Sequence, residues 1–177
     1  PGNYAVSVTD ANNCVPISLN FVIEEPELLD ATLETKLDVL CFGESTGAIN
    51  VNIVGGRLDY TFAWTGPNGY TNTNQNANAL FAGIYNLTVT DRSGCTDTLE
   101  VEIIQNDQID IDATITEIVC YGDNNASITI NTISGGVPPY TITWSNFGSG
   151  NVQTNLSAGT YTITITDAEN CVRDFPI

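Results

Sequence analysis

Five cysteines, 21 carboxylates and no histidine define the chemistry open to this chain of 177 residues. The cysteines, Cys14, Cys41, Cys95, Cys120 and Cys171, are never closer than the 25 residues between Cys95 and Cys120. A structural zinc site draws its ligands as closely spaced pairs, so the cysteines do not read as one. Without histidine there is no His general base, no Ser-His relay and no imidazole ligand. A cysteine nucleophile would lack a base to take its proton. Two uses remain for the thiols: disulfides in an oxidising compartment, or free buried side chains.

The carboxylates cluster with amides at what read as strand ends: Asp10 with Asn12 and Asn13, Asp91 with Asp97, Asp123 with Asn124 and Asn125, and Asp167 with Glu169 and Asn170. Oxygens in turns are the ligand type calcium takes, which makes Asp91, Asp123 and Asp167 the candidate metal ligands and calcium the one candidate cofactor. Such an ion would sit at domain junctions, facing Glu24-Glu25 or the stretch from Asp107 to Asp112. No EF-hand loop or nonapeptide calcium repeat occurs, and Asx turns closing hairpins explain the same positions. Paired acids for glycoside hydrolysis need a cleft, which strand-end carboxylates do not make. The chain reads as a non-enzyme.

Four basic residues, Lys36, Arg57, Arg92 and Arg173, leave a net charge of −17. That charge repels phosphate backbones and anionic lipid, so neither nucleic acid nor a membrane surface is expected as a partner. No apolar run approaches the ~20 residues a membrane helix needs, so no membrane insertion is expected. The opening Pro1-Gly2-Asn3-Tyr4 has neither the basic nor the apolar region of an export signal, and the expectation is a piece of a longer exported precursor.

What positions these residues is a repeat. Ala82-Gly83-Ile84-Tyr85 through Thr90-Asp91 to Cys95 returns 76 residues later as Ala158-Gly159-Thr160-Tyr161 through Thr166-Asp167 to Cys171. Gly2-Asn3-Tyr4 through Thr9-Asp10 to Cys14 is a further copy. In step with it, Cys41-Phe42-Gly43, Gly55-Gly56, Tyr60 and Trp64 match Cys120-Tyr121-Gly122, Gly135-Gly136, Tyr140 and Trp144, 79 to 80 residues on. A period of this size fits a small complete domain per repeat, and not a helical solenoid. The divisions fall at Glu25-Pro26 and Gln105-Asn106: residues 1–25 are the end of a truncated repeat, 26–105 a complete one, 106–177 a second, nearly complete.

Within a repeat, apolar residues alternate, as in Ile49-Asn50-Val51-Asn52-Ile53, which is the signature of half-buried strands. In the middle repeat strands are expected near 29–40, 48–54, 59–65, 69–74, 77–81, 84–90 and 96–104. Seven short strands predict an all-β, immunoglobulin-like sandwich, with Trp64 and Trp144 buried in third strands and Tyr85 and Tyr161 as tyrosine corners opening the sixth.

On Cys120-Tyr121-Gly122, Gly135-Gly136-Val137-Pro138-Pro139-Tyr140, Trp144, Leu156-Ser157-Ala158-Gly159-Thr160-Tyr161 and Thr166-Asp167 to Cys171, the chain resembles the SprB repeat of large surface proteins in gliding Bacteroidota. The middle repeat has Arg57-Leu58-Asp59-Tyr60 where the family prefers Pro-Pro-Tyr, so its turn between second and third strands is expected to be looser. The resemblance implies a very long extracellular adhesin, exported by the type IX system, whose repeats form a filament shaft. Its partners would be neighbouring repeats and other filament chains. The rival is a module that itself recognises surface polysaccharide through exposed Tyr70, Tyr121 and Phe147. Asp97-Thr98-Leu99 resembles the short O-glycosylation motif of exported Bacteroidota proteins, with Thr98 as acceptor. The triplets at Asn86, Asn125 and Asn155 fit N-glycosylation equally briefly.

The sandwich also constrains the cysteines. Cys41 and Cys120 follow first strands; Cys14, Cys95 and Cys171 lie in turns between sixth and seventh strands. Those turns occupy opposite ends of a sandwich, about 23 Å apart for a strand of about seven residues, whereas a disulfide tolerates only ~4.4–6.8 Å between Cα atoms. Bridges should therefore run between domains stacked head to tail. That pairs Cys41 with Cys171 and leaves Cys14, Cys95 and Cys120 for partners in adjacent repeats.

Overall fold

The computed structural model describes every residue except Asn13. A two-stranded hairpin, β1 (Gly2–Val8) and β2 (Ile17–Ile23), precedes two sandwiches, and every described residue of both strands is exposed. The first sandwich contains β3 (Asp30–Leu37), β4 (Gly47–Val54), β5 (Thr61–Thr65), β6 (Thr71–Asn72), β7 (Ala77–Leu80), β8 (Gly83–Thr90) and β9 (Thr96–Ile103). The second contains β10 (Asp110–Thr116), β11 (Ala126–Ser134), β12 (Thr141–Trp144), β13 (Val152–Leu156), β14 (Thr162–Thr166) and β15 (Val172–Pro176). There is no α-helix among the described residues, and no helix long and apolar enough to cross a membrane.

The strand order identifies the architecture. In the first sandwich β3-β4-β7 forms one sheet and β6-β5-β8-β9 the other; in the second the sheets are β10-β11-β13 and β12-β14-β15. In both, the first, second and fifth strand positions face the third, sixth and seventh, all in antiparallel register. This is the immunoglobulin-like connection pattern. The chain is a tandem of such sandwiches.

Alternation builds each core. Ile49 and Val51 of β4 and Tyr85, Leu87 and Val89 of β8 point inward around Trp64, while Ile128, Ile130, Ile163 and Ile165 surround Trp144. Each fully buried side chain of this size contributes about 1.5–3 kcal/mol through removal from water. The indole N–H groups are satisfied too: Trp64 Nε1 donates to the Asn74 and Gln75 carbonyls at 3.1 and 3.2 Å, Trp144 Nε1 to Gly150 O at 2.9 Å. Tyr85 Oη donates to Phe81 O and Tyr161 Oη to Ser157 O, both at 3.0 Å and both four residues back, as in tyrosine corners.

Three expectations are corrected. The first strand stops at Leu37, because residues 38–44 leave the sheet to meet the linker, as described below. The expected strand at 69–74 shrinks to Thr71–Asn72, since Pro67 starts a 3-10 turn in which Asn68 takes φ 54°. Nor does the turn of the first repeat show a looser anchor. Tyr60 Oη donates to Gly55 O at 2.6 Å just as Tyr140 Oη donates to Gly135 O at 2.7 Å, with Asp59 at φ 79° where the other repeat has proline.

Candidate functional site

Each turn between sixth and seventh strands is closed by one aspartate. Asp91 Oδ1 accepts the Ser93 and Cys95 N–H groups at 2.8 and 2.9 Å, and its Oδ2 accepts Arg57 N–H at 2.9 Å across the turn between second and third strands. Asp167 repeats this with Glu169, Cys171 and Val137, each at 2.9 Å. Both residues are buried. Asp10 has the local half of the arrangement, Oδ1 accepting from Asn12 and Cys14 at 3.0 Å, and its neighbour Asn13 lies outside the described residues. The aspartate therefore sets the backbone of the cysteine four residues on. The Arg57 N–H, aided by those of Cys95, Ser93 and Gly94 and opposed by desolvation, holds the Asp91 carboxyl below the usual carboxylate range. The Cys14 N–H does the same for Asp10.

The adjacent Gly-Gly pairs explain how a linker reaches this end. Gly56 N–H donates to Glu27 O and Gly136 N–H to Asp107 O, both at 2.8 Å. A Cβ on Gly55 would lie 1.9 Å from Leu28 O, and one on Gly135 2.0 Å from Gln108 O. Glycine is required because the incoming chain passes against the backbone.

At the other end of the first sandwich, residues 38–44 fold onto the chain leaving β9. Val39 N–H donates to Ile104 O at 2.9 Å, Ile104 N–H to Asp38 Oδ1 at 3.0 Å, Asn106 Nδ2 to Leu40 O at 2.8 Å, and Gly43 N–H to Gln105 Oε1 at 2.9 Å. Val39 is 2% exposed. This clamp carries Cys41 to the Asp167 turn, where Cys41 and Cys171 form a disulfide with Cα atoms 5.3 Å apart and a sequence separation of 130. Within the second sandwich Arg173 fixes the start of β10, donating to Ile109 O, pairing with Asp110 at 3.4 Å and lying 4.8 Å over the Phe175 ring. A cleft of about 300 Å³ remains beside the bond, lined by Phe42, Glu44, Asn106, Asp107 and Arg173 among others.

The remaining candidate residues are dispersed. Cys14, Cys95 and Cys120 are free and exposed, the first two in turns equivalent to that of Cys171, the third in the turn equivalent to that of Cys41. Asp91, Asp123 and Asp167 stand in three separate turns. Buried Asp91 and Asp167 meet N–H groups, whereas exposed Asp123 accepts from Asn125 Nδ2 at 3.3 Å. No group of three His, Cys, Asp or Glu side chains able to hold a metal occurs among the described residues. Thr98 is exposed on β9, and the Asp97 beside it accepts Ala31 N–H at 2.8 Å. Tyr70 packs edge-on against Tyr85 at 5.3 Å, while Tyr121 and Phe147 are fully exposed on different turns. Burial pushes the Tyr85 phenol up, with Tyr70 beside it adding to the effect.

Sequence reasoning treated the strand-end aspartates as calcium ligands or simple Asx turns and missed their Oδ2 bond across the sandwich end. The recurrence of Asp four residues before each of Cys14, Cys95 and Cys171 was the available signal. The clamp at Val39, Ile104 and Asn106 had none, since no pattern in those residues marks a long-range backbone contact.

Residues 33–69 and 113–149 match the model of the SprB repeat. Each stretch runs from the first strand past Trp64 or Trp144 and ends before the tyrosine corner and the cysteine turn. No curated protein matches the chain. Among solved structures, it is similar to the crystal structure of the C-terminal 282-residue fragment of intimin in complex with the intimin-binding domain of the translocated intimin receptor, at 17% identity and a TM-score of 0.36. That similarity covers 87% of this chain and 64% of the other.

Proposed function

We propose that the chain, in which residues 33–69 and 113–149 match the SprB repeat, is a segment of the shaft of a long cell-surface adhesin filament, exported by the type IX system and serving surface attachment and gliding motility. The observation that carries this reading is the built junction. A recognition module needs a binding face, whereas a shaft module needs a joint that does not hinge. Here Asn106 and Gln105 of the linker bond to Leu40 and Gly43 of the first sandwich, Arg173 holds the chain at Ile109 where it enters the second, and the Cys41–Cys171 bond crosses between the two. Inter-domain interfaces without such ties are expected to move. On this reading Cys14, Cys95 and Cys120 bond in the same sense to neighbouring repeats, Cys95 and Cys14 toward preceding copies and Cys120 toward a following one.

The polysaccharide-binding alternative needs aromatic rings on a shared face. Tyr70 is engaged with Tyr85, and Tyr121 and Phe147 project from different turns, which favours the shaft. Electron micrographs of the full-length protein carrying these repeats test it: thin beaded filaments are expected, and compact globules would refute the reading. The protein acts without catalysis in this role.

A further inference from the structure

We propose that the Cys41–Cys171 bond carries the tension applied along the chain, so that the pull bypasses residues 42–170 and leaves them folded. Force follows the shortest covalent route. Pulled from its two ends, the chain transmits tension through the hairpin β1–β2 and β3 to Cys41, crosses the two sulfurs, and leaves from Cys171 through β15. Everything else lies inside a closed loop of sequence separation 130. That loop contains β4 to β9 of the first sandwich and β10 to β14 of the second, including both tryptophans and both tyrosine corners.

The two sandwich strands left in the path lie at sheet edges. β3 is the outermost strand of the sheet β3-β4-β7, and β15 is the outermost strand of β12-β14-β15. Only the single neighbours β4 and β14 hold them by ladder hydrogen bonds, and the Asp38 and Val39 contacts to Ile104 lie between β3 and the bond. A bridge confined to one sandwich would act differently. A Cys41–Cys95 bond would close off a much shorter loop and leave the whole second sandwich in series with the load. The observed pairing reaches across the junction, and one bond thereby protects most of two domains.

The test is single-molecule extension of the 177-residue chain held at its two ends. Fully extended residues span ~3.3–3.6 Å each. The oxidised chain should therefore reach a final contour length about 450 Å shorter than the same chain in a thiol reductant. Cys41→Ser and Cys171→Ser should each give the longer value without reductant. This final length is read after complete extension, so it does not require either variant to fold. Equal lengths with and without reductant would overturn the proposal. A shortening of only about 190 Å, the span of the residues between Cys41 and Cys95, would overturn it in favour of a bond within one sandwich. The result is independent of the shaft reading: globular micrographs would remove that reading and leave the length difference as it is.

Discussion

The two sandwiches carry the same sequence block in different surroundings. At the end of the first, Val39, Leu40, Cys41 and Phe42 are held by the linker and the disulfide; the equivalent Ile118, Val119, Cys120 and Tyr121 make no such contacts among the described residues. Leu40 is 48% exposed and Val119 85%, and Val39 is buried where Ile118 is half-buried. Around Ile118, together with Ala126, Leu156, Tyr161 and Ile177, a cavity of about 320 Å³ stands open. In the first sandwich the corresponding space is filled. Ile103 packs so closely there that a Cβ on Gly47, the counterpart of Ala126, would lie 3.0 Å from its Cγ2 and 2.9 Å from Leu80 O. The comparison teaches that the end of a sandwich is completed by the chain that leaves it, while the centre is completed from within.

The largest expected effect tests the second half of that statement. Trp64 and Trp144 are the only tryptophans, so each single substitution leaves one indole to report on the other sandwich. Trp64→Ala and Trp144→Ala should each cost about 3–5 kcal/mol in the sandwich that loses the indole, from lost burial and the cavity left behind. In reductant, the fluorescence transition of the remaining tryptophan should keep its wild-type denaturant midpoint. A midpoint that moves with the distant substitution would mean that the two cores are one cooperative unit.

How much of this was legible before the structure depends on the range of the interaction. The strands, the buried Trp64 and Trp144 and the corners at Tyr85 and Tyr161 follow from alternation and from the seven-strand rhythm, which are local properties with a strong hydrophobic consequence. The opposite placement of Cys41 and Cys95 followed from the same rhythm once strand lengths were converted to distances. What was not legible depends on backbone atoms meeting across long separations. Asp91 Oδ2 reaches Arg57 N–H and Val39 reaches Ile104 O, and neither contact needs a particular side chain at its far partner. The anchoring of the first repeat's turn was misjudged for a related reason. Tyr60 Oη bonds a glycine carbonyl, and it does so whether proline or Leu58-Asp59 precedes it.

A smaller effect probes the first half of the comparison. Val39→Ala should destabilise the first sandwich by about 2 kcal/mol, from two buried methyl groups and an imperfectly closed void. Ile118→Ala removes one carbon more, but from a half-buried side chain, and should still cost less, about 1 kcal/mol or less. Denaturant midpoints of the two variants at equal slope check the asymmetry. Equal losses would show that the linker adds no cover at Val39, and the contrast between the two ends would fall.

The smallest expected effect concerns the aspartate that closes the turn. In the folded chain the Asp91 carboxyl is held below its ordinary value of 3.8, chiefly by the Arg57 N–H, with those of Cys95, Ser93 and Gly94 assisting and desolvation opposing. The unfolded chain has no such donors, so on acidification its Asp91 takes up a proton first. Unfolding then binds a proton, and stability falls as pH falls. The contribution of Asp91 is accordingly complete above the unfolded value and disappears as the pH drops below about 4 through the folded one. Asp91→Asn keeps the shape and one oxygen acceptor but carries no titrating group. Melting temperatures followed from about pH 6 downward should therefore decline less steeply for the variant than for the wild type below about pH 4, with the wild type the more stable at the upper end. The other carboxylates titrate in both proteins and cancel in the difference. Parallel curves would mean that the N–H groups around Asp91 do not favour its charged form, and the turn would then be closed by shape alone.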